Sequence, residues 1–218
     1  MDLRVARVAV AGVALLLFVG HQVASSRGAA GRSDTEHELT PEVRARTVTF
    51  ASGVSAADRA WVLDAIASAR PEAQQLIAAV DGLVTIGVVA EPSAPFVGVA
   101  KAGSDDILLN IAYLDGERKQ DRPQTVLHEL GHIIDFELVP DDEMERLAAA
   151  IPSSGGCFSA ETGDCTAPEE RFADTFAKWA LRGAVSTVGA GYGVSAPASL
   201  EQWGAPLGAL AAQQSIQK

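Results

Sequence analysis

The segment Thr125-Val126-Leu127-His128-Glu129-Leu130-Gly131-His132-Ile133-Ile134-Asp135 carries the residue types and spacing best suited to chemistry in this chain. On a helix, His128 and His132 stand one turn apart on the same face, so both imidazoles reach one ion. Zinc prefers nitrogen and oxygen ligands in a tetrahedral array. Glu129 follows the first imidazole and is angled off that face, where it meets a water at the ion rather than the ion itself. The alternative is a core helix with two satisfied histidines, but burying such a pair with a carboxylate between them is costly unless something compensates it. These two are half of the chain's four histidines; the others are His21 and His37.

A catalytic zinc needs a third protein ligand and an open position. No third histidine follows in the spacing His-x-x-Gly-x-x-His. The downstream stretch Pro168-Glu169-Glu170-Arg171-Phe172-Ala173-Asp174-Thr175-Phe176 offers carboxylates instead. Glu170 and Asp174 are four apart, on one helical face. Glu170 is the expected ligand and Glu169 the runner-up. Both also suit the positive end of a helix. Asp174 is expected to accept a hydrogen bond from the far nitrogen of a ligand histidine. Asp135, one turn further along the histidine face, is expected to hold His132 or a neighbouring loop, with a surface salt bridge as the alternative.

The combination of His128-Glu129-Leu130-Gly131-His132 with Glu170-Arg171-Phe172-Ala173-Asp174 resembles the gluzincin metallopeptidases, the thermolysin-like group. Gly131 and Asp135 look especially like the anthrax lethal factor catalytic domain and its relatives. The resemblance covers roughly residues 83 to 182. It implies a zincin-like fold, a zinc ion, a water activated by Glu129, and hydrolysis of a peptide or protein substrate. It also implies an edge strand before the metal helix that binds substrate backbone, and Asp106 to Ala112 lies in that place. Members usually carry a Tyr or His that stabilises the oxyanion. None stands just before Glu170. Tyr192 is the best candidate, an ordinary partly buried tyrosine being the competing reading, and Tyr113 and Arg171 are weaker.

Other elements must position these residues. Arg46 to Ala51 is β-like. Ser55 is an N-cap for a helix through Ala69, with Trp61, Val62, Ala65 and Ile66 at helical spacing. Pro71 opens a second helix, ending near Asp81-Gly82. Leu83 to Ala90, Phe96 to Ala100 and Asp106 to Leu114 read as strands, the last two joined by a Gly103-Ser104 hairpin turn. Pro123 opens the metal helix from about Gln124 to Leu138, and Pro140 stops it. Asp141 to Ile151 is a short helix. Thr166 with Glu169 forms a capping-box pattern for a helix to about Leu181, with Gly183 at C′. A last helix spans about Ser199 to Gln213. The fold class is α+β: a small mixed N-terminal sheet with helices, then the metal-site helix and a helical C-terminal part.

The N-terminus has the three-part pattern of a secretory signal: Arg4 and Arg7, an apolar run from Val8 to Val19, then small residues. Residues 1–30 are a signal peptide or a membrane anchor, 31–43 a flexible linker, and 44–218 the folded domain. The folded part is thus expected to be secreted or in the cell envelope, with a membrane tether if the segment is kept. In that setting Cys157 and Cys165, the only two cysteines, read as one local disulfide. Two unpaired thiols are the alternative. Hydrophobic residues make up 48% of the 218, enough for a real core. The net charge of -11 would repel a phosphate backbone, so nucleic acid is not expected as a partner. Two rival functions stand beside the hydrolase: a non-catalytic zinc-binding or interaction domain at the cell envelope, and an exported structural domain without metal.

Overall fold

The computed structural model describes residues 48–94, 96–114, 121–152, 167–184 and 194–216. The expected signal and linker, Thr166, Cys157, Cys165 and Tyr192 lie outside the described residues.

Among the described residues the chain is α+β, with a four-stranded mixed sheet of order β1-β2-β4-β3. Strand β1 (Thr49–Phe50) leads into helix α1 (Ala56–Ser68), whose N-cap Ser55 accepts from the Asp58 N–H. Helix α2 (Pro71–Ala79) starts on a proline, and strand β2 (Thr85–Val89) returns parallel to β1. Strands β3 (Gly98–Lys101) and β4 (Asp106–Asn110) form the expected antiparallel hairpin, with Gly103 at φ 81 in its turn. Because β4 also pairs in parallel with β2, it is interior and β3 is the edge.

That order corrects one expectation. The segment from Asp106 to Ala112 is not the edge strand, and the strand stops at Asn110. The buried Asn110 side chain takes backbone roles: its Oδ1 accepts from Glu91 N–H at 3.0 Å and Ala112 N–H at 3.2 Å, and its Nδ2 donates to the Glu91 carbonyl at 2.8 Å. Such local bonds compete with the ladder. The chain turns into the short helix α3 (Ile111–Leu114) instead of extending.

Helix α4 (Arg122–Leu138) is the central element. Its N-cap is Asp121, whose carboxylate accepts from Gln124 N–H at 2.9 Å, and Pro123 sits in its first turn. Every residue from Val126 to Asp135 is buried. Leu127, Leu130, Ile133 and Ile134 are fully enclosed, each contributing about 2 kcal/mol by leaving water. Helix α5 (Asp141–Ala149) follows after Pro140, and helix α6 (Pro168–Ala180) packs against α4.

Two helix ends differ from the sequence reading. Ala167, not Thr166, is the N-cap of α6, and no side chain caps it. At the other end the left-handed C′ residue is Arg182 (φ 54), with Gly183 (φ 78) one place later. The Arg182 N–H bonds the Trp179 carbonyl and the Gly183 N–H that of Lys178, a Schellman closure. The last helix is divided at Gly204 into α7 (Leu200–Trp203), capped by Ser199, and α8 (Ala205–Ile216). A Cβ at Gly204 would enter the Trp179 indole, so close packing on that ring explains the glycine.

Candidate metal centre

Helix α4 aims His128 and His132 at the first turn of α6, where Glu170 faces them. The two Nε2 atoms are 3.2 Å apart, and Glu170 Oε2 lies 3.3 Å from the first and 3.5 Å from the second. Among the described residues this is the one group of His, Cys, Asp and Glu arranged to hold a metal ion. Donors bonded to an ion at about 2.0–2.1 Å in a tetrahedron stand about 3.3–3.4 Å from one another, which is the size of this triangle.

The donor chemistry fits a cation as well as the spacing does. Both Nε2 atoms face each other, so at most one can carry a proton there. Glu170 Oε2 has no hydrogen bond of ordinary geometry, and neither does His132 Nδ1. Three potential donor atoms thus converge in a site whose ligands are only 1–5% exposed. Such an arrangement calls for a positive charge, which a cation or an imidazole proton can supply. Burial alone would raise the Glu170 carboxyl. The adjacent imidazoles of His128 and His132 outweigh that and hold it well below the usual carboxylate range. Glu170 is therefore ionised, as a ligand must be.

Glu129 lies between α4 and the edge strand. It is buried, and burial is the main cause that pushes its carboxyl up to about 8; His132 and an Ala100 N–H bond pull down, and Glu170 pushes up. A Cβ at Gly98 would lie 2.8 Å from its Cδ and 2.9 Å from its Cγ, and nearer still to Oε1. Glu129 stays out of the donor triangle, beside it.

The remaining expected residues are placed as follows. Asp174 is fully buried one turn from Glu170. Its Oδ1 accepts from Gln124 Nε2 at 3.2 Å, and its Oδ2 pairs with the Lys178 ammonium, which also donates to the Val194 carbonyl. Asp135 is buried on the histidine face, but His132 Nδ1 accepts or donates no hydrogen bond, so Asp135 does not hold that ring through it. Glu169 lines a groove with Met144, Glu145 and Ala148, away from the triangle. The Tyr113 hydroxyl donates to the Ala94 carbonyl at 2.7 Å, and Arg171 Nη2 donates to the carbonyls of Ala148 and Ile151.

Three positioning residues were not apparent from sequence. Gln124 stands one turn before His128, and that i, i−4 spacing was the available signal. Gly98 was hidden because a glycine in a short strand names no neighbour. Lys178 follows Asp174 at i+4, a spacing that also describes ordinary surface pairs.

No family model, no curated protein and no solved structure matches this chain. Among the described residues no helix is long and apolar enough to cross a membrane.

Proposed function

We propose that this chain is a zinc-dependent peptide hydrolase of zincin-like fold that acts outside the cytoplasm. The observation that carries the reading is the triangle of His128 Nε2, His132 Nε2 and Glu170 Oε2, with the Glu129 carboxyl beside it rather than in it. Two nitrogens and one oxygen at this spacing suit zinc better than calcium or magnesium, which take oxygen. Three protein donors leave a fourth position open.

Held by His128, His132 and Glu170, a zinc ion would supply Lewis-acid chemistry to a water and a carbonyl. Glu129, beside these donors, would serve as the group that accepts a proton and returns it to the leaving amine. The edge strand β3 runs antiparallel to its neighbour, and its outer side faces no other strand among the described residues, so an extended peptide can pair along it. Tyr192 is the side chain assigned to the oxyanion. The N-terminal segment directs export, with cleavage or retention as a tether.

The test is Glu129→Gln. Zinc content should equal that of the unaltered chain while cleavage of a peptide library disappears. Full hydrolysis in that variant removes Glu129 from the reaction. The second reading, a metal-binding domain without catalysis, is favoured by one observation: ligands and base are all at most 5% exposed. Stoichiometric zinc with no cleavage of any library peptide would select it.

A further inference from the structure

Strand β3 holds a glycine that its backbone does not require. Gly53, Gly82, Gly103 and Gly183 all adopt positive φ, where a side chain is strained. Gly98 does not; it is extended, in a strand where glycine is disfavoured. What it provides is room. A Cβ there would overlap the Oε1, Cδ and Cγ of Glu129, and no other atoms are among its three nearest. The neighbouring Ala100 N–H bonds the same carboxylate from the same strand. Glu129 is only 2% exposed, so a displaced side chain moves within the protein rather than out into water.

We infer that Gly98 is a positioning residue: by having no side chain it sets where the Glu129 carboxyl lies, between the edge strand and the His128-His132-Glu170 triangle. The strand that borders the site thereby sets the reach of the proton-accepting group. Any β-carbon at 98 drives the carboxyl away from its place, while the metal donors, carried on α4 and α6, stay where they are. This inference rests on the hydrolase reading for its kinetic consequence and on geometry alone for the contact.

The experiment is a double-mutant cycle on the full folded chain, Gly98→Ala in the Glu129 and the Glu129→Ala backgrounds, read by thermal unfolding and zinc content. With Glu129 present, Gly98→Ala should lower Tm by about 5 °C, the scale of a modest overpacking penalty in a domain of this size. With Glu129→Ala the loss should vanish, since the new methyl enters vacated space. The gain in strand propensity from alanine is common to both arms and cancels. Zinc should bind one to one throughout. In peptide cleavage Gly98→Ala should lower kcat by tenfold or more with KM within about twofold, the mark of a disturbed reacting group rather than lost binding. Equal Tm losses in both backgrounds, or an unchanged kcat, overturn the inference. Absence of cleavage by the unaltered chain would instead retire the hydrolase reading, and the stability cycle would still decide whether Gly98 places this carboxyl.

Discussion

Gly131 lies so close to Ala173 that a Cβ at 131 would come within 3.1 Å of the Ala173 Cα and of Phe176 Cδ1. This contact is where α4 and α6 approach each other, and it falls between His128 and His132 on one helix and beside Glu170 on the other. The donor triangle depends on that approach. Gly131→Ala gains helix propensity of about 1 kcal/mol but must push the helices apart. Gly131→Val gains less and pushes further. Gly131→Val is expected to cost about 1–3 kcal/mol of stability, with zinc affinity falling more steeply than stability. Urea unfolding of the metal-free chain together with competitive zinc titration separates the two effects.

Removing a donor should cost metal more than fold. Glu170→Ala and His128→Ala are each expected to weaken zinc by more than about 100-fold, beyond what loss of a supporting residue does. Glu169→Ala should leave zinc unchanged, because its side chain lines the groove toward α5. Metal analysis after dialysis against a weak chelator reads all three. Equal zinc in Glu170→Ala would exclude Glu170 as a ligand.

The two site glutamates pull the pH profile of the metal-free protein in opposite directions. Glu129 is raised from its ordinary 4.5 to about 8, so the folded state keeps a proton that the unfolded state releases. Its contribution is present below about pH 4.5 and is lost as pH rises from there to about 8. Glu170 is lowered, so its contribution is present above its ordinary range and is lost as pH falls through it. Metal-free stability is therefore expected to peak near pH 5 and to decline toward pH 8. Glu129→Gln should flatten the decline and leave the acid limb. Urea midpoints of chelator-treated protein across this range give the answer, and a decline that persists in Glu129→Gln would assign it to another group.

Asp174 and Lys178 form a buried pair, at 1% and 13% side-chain exposure. Lys178→Met leaves the Asp174 carboxylate enclosed with Gln124 as its neutral partner. That loss is expected to destabilise by about 3–5 kcal/mol, whereas Lys178→Met with Asp174→Asn should recover much of it. Because Lys178 also holds the Val194 carbonyl, the single variant should increase proteolysis around residue 194. Unfolding curves and limited proteolysis of single and double variants provide the check.

Much of the local structure was legible in the residues themselves. Ser55 as N-cap of α1, Pro71 at the start of α2, Pro140 after α4 and the hairpin across Gly103 follow from short-range rules: a hydroxyl that accepts a backbone N–H, a ring that fixes φ, a residue that tolerates positive φ. His128, Glu129 and His132 could be set on one helix for the same reason, since spacing along a helix is a local property. The choice of Glu170 over Glu169 was also available as an expectation, from its alignment with Asp174 at i+4.

What needed tertiary structure was every relation between distant segments. A strand's position in a sheet depends on which other strands pair with it, so β4 could not be known as interior, nor β3 as the edge, from either strand's own residues. The close approach of Gly131 to Ala173 brings Glu170 to the imidazoles, and the gap at Gly98 receives the Glu129 carboxyl. Both result from packing among elements whose side chains are blind to one another along the chain. Sequence spacing placed the two imidazoles on the same helix face; only the packing of α6 against α4 set the 3.3 and 3.5 Å distances from Glu170 to them.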